Sequence, residues 1–385
     1  MRYVSVAFRF NKGATGGPGG VNYMVGQCAR SRGAKSLRCY FRPELPKIIN
    51  KVLNYANRHA LRFTGIPIAE YLFNFVFILT IVALKRKASY IIHDPVSSCI
   101  ASLLRIRFSQ VYHHQGSLYD EHLSFGGAPS LRLRKLYTWL EKSGFNRARY
   151  ICFPSKGAVE AYFTTSSLNR SDYGHKIRVI HNTINEAVEL SPEEYVYKKH
   201  ELDSGQILFL TVSSLSIAKG IDRCPLLFYY LKQRKFRFKW ILIGNGILKN
   251  EIYKQVERYS LEDCFIYIRE FMPNTEVRRL MSIARFYVMF HRHSICDMAI
   301  LEAMSVGCIP VLSRVEGNLE FNVKNNVIFF DGDYQDCVDR ILETNFERLA
   351  SLNSKVYRTY FNNEVFFNNY MRLFEDTARG GVFQR

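Results

Sequence analysis

The sequence FYVMFHRHSICDMAILEAMSVGCIPVLSRVEGNLE, residues 286–320, contains the pattern of a strand, a loop, a helix and a second strand. Phe286 to Phe290 is a short apolar run of the kind that forms a buried parallel strand. Asp297 precedes an apolar run with helical spacing and is predicted to cap that helix, which ends near Gly307. Ile309 to Leu312 then begins a second buried strand. The stretch therefore predicts an open, parallel α/β sheet.

The loop of this stretch leads from a strand into a helix N-terminus, which is where open α/β sheets bind phosphate groups. Unpaired backbone N–H groups and the helix dipole converge at that point and favour an anion. Glu302 lies a little over one turn into the helix, so its carboxylate is predicted to face the same cleft. The alternative is a core helix that carries one solvated glutamate.

Residues 286–320 resemble the nucleotide-binding signature of family 4 glycosyltransferases, which are retaining enzymes of the GT-B architecture. The family has a first glutamate where this chain has Ser294, and glycines where it has Ile295 and Asp297. The resemblance is strong from about Ile207 to Phe330 and looser before that. It implies the α/β GT-B fold, in which two Rossmann-like parallel-sheet domains face a central cleft. The positions that match the signature are Glu302-Ala303-Met304, Gly307, Pro310-Val311, Gly317 and Glu320.

A second part of the resemblance begins at the strand predicted from Ile207 and ends in Lys219-Gly220-Ile221-Asp222. The family has Gly-Arg-Leu shortly before the lysine, whereas this chain has Ser213-Ser214-Leu215. In the family the arginine and the lysine bind the donor diphosphate, whose charge grows as it leaves. Lys219 can serve as a point charge in this role, and Ser214 can donate one hydrogen bond but no charge. The alternative for Lys219 is a solvated lysine on a loop.

The resemblance also assigns site residues in the first part of the chain. After a strand predicted at Tyr3 to Phe8, the family places a Gly-Gly loop against the donor diphosphate and the acceptor, which selects Gly19 and Gly20. Related transferases have a histidine-containing loop facing the donor sugar where this chain has His113 and His114, and His114 is the candidate. The alternatives are a flexible glycine loop without a ligand and a pair of surface histidines.

The second glutamate of the signature, Glu302, contacts the ribose in the family, and the first contacts hydroxyls of the donor sugar. Because Ser294 replaces the first, Asp297 is a candidate replacement, with a simple helix cap as the alternative. The resemblance implies no essential metal and no cofactor, since the nucleotide-sugar is a substrate. The catalytic candidates are Lys219, Glu302 and His114, and the donor-binding candidates are Gly19, Gly20, Ser214, Lys219, Ser294, Cys296, Asp297, Met298 and Glu302.

The chain of 385 residues is long enough for two α/β cores. The polar stretch from Asn185 to Ser204 predicts the boundary, which gives an N-terminal Rossmann-like domain over residues 1–185 that faces the acceptor and the membrane. The C-terminal Rossmann-like domain over residues 186–364 is expected to bind the nucleotide-sugar. An aromatic-rich helix over residues 365–377 is expected to pack back on the first domain. Asn274 is predicted to cap a helix that begins at Val277.

The nine cysteines lack metal-ligand spacing, which favours free thiols in a reducing compartment. The net charge of +19 lies entirely in residues 1–185, which hold 27 Lys and Arg against 8 Asp and Glu. Such one-sided charge suits an anionic membrane or an anionic acceptor, and no nucleic-acid motif is present. The most apolar run, Tyr71 to Leu84, has 14 residues, too few for a span of about 20. It is predicted to form a buried helix, with shallow insertion into a membrane surface as the alternative.

The function that the resemblance implies is transfer of a hexose-type unit from a nucleotide-diphosphate donor to an acceptor hydroxyl, with retention of configuration. Charge and resemblance together favour a lipid-linked oligosaccharide acceptor in O-antigen, capsule or lipopolysaccharide biosynthesis. The expected location is the cytoplasm, peripherally on the inner face of the cytoplasmic membrane. The alternatives are a nucleotide-sugar 2-epimerase of the same architecture and a non-catalytic subunit that binds a nucleotide-sugar.

Overall fold

The computed structural model divides the chain into two compact units, one of Met1–Thr183 with Asn363–Arg385 and the other of Ile184–Asn362. Each unit is described by itself. The residues that the structure describes are 2–7, 17–41, 47–64, 68–85, 87–114, 116–124, 128–186, 203, 205–269 and 272–379. The polar stretch predicted as the boundary lies mostly outside these residues, as do residues 11–16 of the Gly-rich segment.

The first unit is built on a six-stranded parallel sheet with the strand order β2-β1-β3-β4-β5-β6. Its strands are β1 (Arg2–Ala7), β2 (Leu37–Phe41), β3 (Ala88–Ile92), β4 (Phe108–Val111), β5 (Ile151–Phe153) and β6 (Ile177–Val179). Its helices up to the end of the sheet are α1 (Gly17–Ser31), α2 (Lys47–Thr64), α3 (Ile68–Leu84), α4 (Pro95–Leu103), α5 (Leu118–Ser124), α6 (Leu131–Arg147), α7 (Lys156–Thr165) and α8 (Arg170–Tyr173).

The second unit is also built on a six-stranded parallel sheet, with the strand order β12-β11-β10-β7-β8-β9. Its strands are β7 (Ile207–Val212), β8 (Phe238–Ile243), β9 (Phe265–Ile268), β10 (Phe286–Met289), β11 (Ile309–Ser313) and β12 (Ile328–Phe330). Its α-helices are α9 (Cys224–Gln233), α10 (Lys249–Arg258), α11 (Asn274–Ile283), α12 (Met298–Ser305), α13 (Tyr334–Leu342) and α14 (Phe346–Val356). A π-helical turn, Tyr357–Phe361, follows α14.

The chain then returns to the first unit in helix α15 (Asn363–Arg379). This helix buries Phe366, Tyr370 and Phe374 against the core of that unit, where Phe374 packs beside Tyr3 of β1. The aromatic spacing that predicted this helix therefore also supplies its packing face.

The central strands of both sheets are mostly apolar and buried, as is typical of parallel strands whose two faces are covered by helices. In the second unit the side chains of Phe209, Phe228 and Trp240 are fully buried, and the Phe228 ring contacts the other two rings. The strand–helix–strand pattern predicted for residues 286–320 is confirmed by β10, α12 and β11. Asp297 caps α12, as predicted, by accepting a hydrogen bond from the backbone N–H of Ala299.

Three local predictions were wrong. Gly19 and Gly20 lie in the first turn of α1 and are buried, because the helix already begins at Gly17. Asn274 is the first residue of α11 and does not cap it; Pro273 occupies the cap position. The helix predicted as buried, α3, turns a row of large apolar side chains outward, among them Leu72. None of the helices that the structure describes is long and apolar enough to cross a membrane.

Candidate functional site

The strand order of the second sheet creates a crevice at the end of two neighbouring strands. β7 and β10 lie side by side, yet the chain leaves β7 towards β8 and leaves β10 towards β11, which lie in opposite directions. The loops that follow these two strands therefore diverge, and such a switch point is where open α/β sheets bind their ligands. We name the loop over residues 213–223 the β7 loop and the loop over residues 290–297 the β10 loop.

The β7 loop and the β10 loop are held against each other by backbone contact. Gly220 has φ 64°, and a Cβ atom there would lie 1.8 Å from the carbonyl oxygen of Phe290, so only glycine fits. The N–H of Arg292 donates to the carbonyl of Ala218 at 2.9 Å. The Arg292 guanidinium donates two hydrogen bonds, of 2.8 and 2.6 Å, to the carboxylate of Asp222. This bidentate pair fixes the loop that carries Lys219.

Lys219 is brought to the N-terminus of α12 by this arrangement. Its Nζ lies 2.5 Å from Oδ2 of Asp297, and the two side chains are 22% and 15% exposed. The same Oδ2 is 3.1 Å from Nε2 of His291, a fully buried histidine. Burial alone would raise the pKa of Asp297, but the Lys219 ammonium and the His291 hydrogen bond hold it well below its usual range. Asp297 is therefore ionised at neutral pH.

His291 was not singled out from the sequence, since one histidine in a run of polar loop residues carries no distinctive signal. Burial lowers the pKa of its imidazole, so the ring is neutral at neutral pH. Its Nε2 faces a carboxylate and therefore carries the proton. Within the described part of the chain, its Nδ1 is buried and has no hydrogen-bond partner. His291 thus orients the Asp297 carboxylate towards Lys219.

The first turn of α12 presents a positive helix end beside the Lys219 ammonium. Cys296, which precedes the cap, is buried and has φ 145°, a value that non-glycine residues rarely adopt. Met298 is the first helical residue and is buried as well. A cation and the N–H groups of a helix N-terminus form a binding site for an anion, and Asp297 is the carboxylate that this site holds within the chain.

Glu302 lies on the same helix and is 6% exposed. Its Oε1 accepts a hydrogen bond of 2.7 Å from Nδ2 of Asn274, the first residue of α11. Burial raises the pKa of Glu302 to about 7, an effect that Asn274 and the nearby Arg278 guanidinium only partly offset. The alternative of a solvated glutamate on a core helix is therefore wrong: Glu302 is buried, is hydrogen-bonded and has a pKa close to neutral pH.

A third loop, which follows β11, packs on the β10 loop. A Cβ atom at Gly317 would lie 2.6 to 2.9 Å from backbone atoms of Ser294, Ile295 and Cys296, so the close approach requires glycine. The approach brings the carboxylate of Glu316 to the backbone N–H of Ser294 at 3.4 Å and to Nδ1 of His293 at 3.5 Å. The Ser294 hydroxyl is buried and, among the described residues, has no hydrogen-bond partner.

Glu316 was missed in the sequence because the resemblance directed attention to Glu320, which ends the signature. The structure shows that Glu316 stands beside Ser294, the position at which the resembled family has its first glutamate. Both Asp297 oxygens are already engaged, one by Lys219 and His291 and the other by the N–H of Ala299. Glu316 is the more accessible of the two carboxylates, at 27% exposure.

Ser214 lies in the β7 loop with an exposed side chain. Its carbonyl oxygen accepts hydrogen bonds from the hydroxyl of Ser213 and from the N–H of Ser216. The structure describes no contact between Ser214 and Lys219. The residues that the structure brings together in the second unit are thus Lys219, Asp297 and Met298 at the helix end, with Ser294 and Cys296 on the adjoining loop.

The remaining candidates, Gly19, Gly20 and His114, belong to the first unit. Gly19 and Gly20 lie in the first turn of α1. His114 follows β4, and its Nδ1 pairs with the carboxylate of Glu121 in α5. Burial alone would lower the pKa of His114, but the carboxylate of Glu121, with smaller effects of Glu141 and Asp94, raises it above the usual value. The alternative of a pair of surface histidines is wrong.

The neighbouring His113 belongs to a buried hydrogen-bonded chain that sequence reasoning missed. Nε2 of His113 lies 3.1 Å from Nδ1 of His93, whose Nε2 lies 3.0 Å from the hydroxyl of Ser5. Burial lowers the pKa of His93 to about 3, so its ring stays neutral. The chain ties together the ends of β1, β3 and β4. It could not be read from the sequence because its members are far apart in the chain.

Among the described residues, no group of three or more His, Cys, Asp or Glu side chains is placed to hold a metal ion. None of the nine cysteines forms a disulfide bond.

Comparison with known proteins places a family match in the second unit. Residues 194–349 match the family model described as "Glycosyl transferases group 1". Over 148 residues the chain is 26% identical to the "Amylovoran biosynthesis glycosyltransferase AmsK" of Erwinia amylovora. The aligned residues make up 36% of this chain and 35% of that protein. The matched part thus spans about a third of the length of this relative.

Solved structures resemble nearly the whole chain. A sucrose-phosphate synthase from Thermosynechococcus elongatus has a TM-score of 0.67 at 15% identity and covers 97% of this chain and 98% of its own. The fold is GT-B. The Anabaena protein HepE, solved in complex with UDP, has a TM-score of 0.66 at 15% identity and covers 97% of this chain and 100% of its own.

Proposed function

We propose that this protein is a glycosyltransferase that moves a sugar from a nucleotide-diphosphate donor to an acceptor hydroxyl. The observation that carries the proposal is the placement of Lys219 at the N-terminus of α12, at the switch point of the second sheet. A cation and a helix end at this point suit the diphosphate of a nucleotide-sugar. The family match of residues 194–349 supports this function, and the UDP complex of HepE supports a nucleotide ligand.

The donor would bind along α12. The diphosphate would lie against the N–H groups from about Met298 onward and against the Lys219 ammonium, which has three N–H donors and can contact Asp297 and a phosphate together. The ribose hydroxyls would donate to Glu302, one helical turn further on. Ser214 and Cys296 are proposed to line the same site through the β7 and β10 loops.

The sugar would be recognised by a carboxylate beside Ser294. Glu316 is the better candidate for this role than Asp297, because both Asp297 oxygens are engaged within the chain. A carboxylate that accepts hydrogen bonds from two sugar hydroxyls would discriminate among donors by the positions of those hydroxyls. The resembled family has its carboxylate at the position of Ser294, whereas this chain would use that of Glu316. This difference in position would change which donor sugar is accepted.

The reaction is proposed to retain the configuration of a hexose-type sugar. As the bond from the anomeric carbon to the diphosphate breaks, negative charge grows on the departing phosphate, and Lys219 and the α12 N–H groups stabilise it. The same phosphate oxygen accepts the proton of the attacking hydroxyl, so the step needs no protein base and no metal. His114, whose pKa is raised by Glu121, is proposed to donate a hydrogen bond to the donor sugar, and Gly19 and Gly20 to lie near the acceptor.

The acceptor is proposed to be a lipid-linked oligosaccharide of surface polysaccharide biosynthesis, such as O-antigen, capsule or lipopolysaccharide. Residues 1–185 carry the entire excess of positive charge. A cavity of about 620 Å³ in the first unit includes Arg30, Lys35 and Arg38 in its lining and suits an anionic group. The partial match to an amylovoran biosynthesis enzyme also supports a polysaccharide. Such an acceptor places the protein peripherally on the inner face of the cytoplasmic membrane.

A non-catalytic subunit that binds nucleotide-sugars is the second candidate. One observation that favours it is the ion pair between Lys219 and Asp297, because this lysine already has an anionic partner within the chain. Another is that Ser214 and Ser294 stand where the resembled family has its arginine and its first glutamate. Such a subunit would bind the donor and transfer nothing.

The experiment that separates these functions has two stages. Thermal unfolding is measured with UDP-, GDP-, ADP- and CDP-sugars, because a ligand that binds only the native state raises the unfolding temperature. The stabilising donor is then incubated with lipid extracts that contain diphosphate-linked oligosaccharides, and sugar transfer is followed by mass spectrometry. Stabilisation with transfer supports the enzyme. Stabilisation without transfer to any acceptor supports the binding subunit, and no stabilisation by any nucleotide-sugar contradicts both.

A further inference from the structure

Helix α3 exposes a continuous apolar stripe. Leu72, Phe75, Val76 and Leu79 recur at the spacing i, i+3, i+4 and i+7, which places them on one face of the helix. All four are exposed, Leu72 by 62% and Val76 by 58%. A surface helix of a soluble protein normally turns such a stripe towards the core. We name these four residues the α3 stripe.

The opposite face of α3 is fixed to the protein, so the exposure of the stripe is determined by packing. Asn74, Ile78 and Ile81 are buried and share that opposite face. The side-chain oxygen of Asn74 accepts a hydrogen bond of 3.0 Å from the hydroxyl of Ser97 in α4. A rotation that buried the α3 stripe would expose two isoleucines and break this buried hydrogen bond. The helix therefore presents its stripe to the outside in the stable fold.

The preceding helix α2 packs on α3 and, like α3, exposes apolar side chains while it buries a polar one. Ile48, Val52 and Tyr55 recur at the spacing i, i+4 and i+7 and are exposed, whereas the polar Asn57 is buried. Among the described residues, α2 and α3 supply nine of the eighteen large hydrophobic side chains that are exposed. Apolar surface concentrated in this way indicates an interaction surface.

The charge of the same segment indicates what covers it. Between residues 47 and 87 the sequence has seven basic residues and one acidic residue, Glu70. Lys51 and Lys87 are exposed. A second copy of the chain would bring these like charges together, which disfavours self-association. An anionic lipid surface, in contrast, is attracted by basic residues and accepts the apolar side chains.

We propose that α2 and α3 form a docking surface for an anionic lipid bilayer. The α3 stripe enters the boundary between headgroups and acyl chains, while the exposed Lys51 and Lys87 contact the anionic headgroups. The helices lie in the interface and do not span the bilayer. This proposal concerns an interaction surface, and it holds or fails independently of sugar transfer.

The test measures binding of the full chain to sedimented vesicles of phosphatidylglycerol mixed with phosphatidylcholine, without any nucleotide. The test variant is Leu72→Gln/Leu79→Gln. The matched control is Leu103→Gln/Leu131→Gln, which removes two leucines that are also exposed, by 59% and 67%, in the same unit. The test variant is expected to bind at least about tenfold more weakly than wild type, since two buried apolar side chains are lost. The control variant is expected to bind like wild type.

A second measurement uses a variant in which the α3 stripe stays apolar. It therefore does not depend on whether the glutamine variant folds. Leu79→Trp is expected to show blue-shifted, bromolipid-quenched tryptophan emission on the same vesicles, whereas Leu131→Trp is not. Equal vesicle binding by the test variant and the control, or no quenching of Leu79→Trp, overturns the proposal. A lipid-free dimer that Leu72→Gln/Leu79→Gln dissociates also overturns it, because the surface would then bind a second copy.

Discussion

Lys219 and Asp297, 78 positions apart in the chain, form an ion pair of 2.5 Å between the two loops that diverge at the switch point of the second sheet. The pair joins a cation to a helix N-terminus, the two features on which the proposed diphosphate site rests. It also places a carboxylate of the chain itself in that site. Binding of the proposed donor would therefore compete with Asp297 for Lys219 or share it.

The first prediction concerns Asp297→Asn, which keeps a side-chain oxygen for capping but removes the charge. The folded-state pKa of Asp297 is depressed, so its stabilising contribution is present above its unfolded pKa, near 4, and is lost as the pH falls further. At pH 7 the free energy of unfolding of the variant is expected to be roughly 2 kcal/mol lower than that of wild type. The difference should shrink below about pH 4. Because the pKa of Asp297 lies well below its usual range, most of the difference persists at pH 3.5 and is lost only at lower pH. Urea titrations at pH 7, pH 3.5 and pH 2 measure it, and a difference that is the same at pH 7 and pH 2 would contradict the ion pair.

The second prediction concerns Glu302 and pH. Burial raises its pKa to about 7, and the ionised carboxylate is the better acceptor for ribose hydroxyls. Affinity for a nucleotide-sugar, whose diphosphate does not titrate near neutrality, is expected to rise between pH 6 and pH 8. Glu302→Gln is expected to bind more weakly than wild type at pH 8 and to lose this rise. Free nucleotide diphosphate should lose affinity in parallel, since the ribose is common to both ligands.

The same residue gives an independent stability test. Because the pKa of Glu302 is raised in the folded state, its ionisation opposes folding, and the contribution to stability falls as the pH rises from about 4.5 to above 7. Glu302→Gln should remove this fall. A variant that binds as tightly as wild type at every pH would show that Glu302 does not contact the ligand, and a variant that fails to fold would show a structural role.

The third prediction concerns Glu316, the carboxylate beside Ser294. If it contacts hydroxyls of the donor sugar, Glu316→Gln is expected to raise the KM for the nucleotide-sugar by about tenfold, the scale of one hydrogen bond to a charged group. The affinity for the nucleotide diphosphate alone, which lacks the sugar, should stay unchanged. Glu257→Gln, at an exposed position on α10, is the control. An equal loss for the sugar-free nucleotide would place Glu316 at the diphosphate and not at the sugar.

The strands and helices of residues 286–320 could be predicted from the sequence because their signals are local. Apolar runs predicted β10 and β11, and Asp297 was predicted to cap α12 because it precedes the apolar run with helical spacing. The partners of Lys219 and Glu302 could not be predicted, because Asp297 and Asn274 reach them only through the packing of separate loops and helices. Glu316 was missed for the same reason: its position beside Ser294 depends on the close approach of Gly317 to the β10 loop.

The error at α3 has a different physical cause. Fourteen consecutive residues from Tyr71 to Leu84 are mostly apolar, and apolarity alone predicts burial. The face that α3 turns inward carries Ile78, Ile81 and the polar Asn74, whose side-chain oxygen accepts a buried hydrogen bond from Ser97. A polar residue on the inner face is a feature that apolarity along the segment cannot predict. Gly19 and Gly20 were placed in a loop because glycine favours turns, whereas α1 already begins at Gly17.

The measurement that tests the account most directly compares Lys219→Ala with Lys324→Ala, which removes an exposed lysine of the same unit. Calorimetric titration with the stabilising nucleotide diphosphate is followed by the sugar-transfer assay. Lys219→Ala is expected to bind about 10- to 100-fold more weakly, as one charged hydrogen bond is lost, and to turn over about 100- to 1000-fold more slowly. Lys324→Ala should match wild type in both. If folded Lys219→Ala binds the nucleotide diphosphate and transfers sugar as wild type does, the donor site is not at the N-terminus of α12.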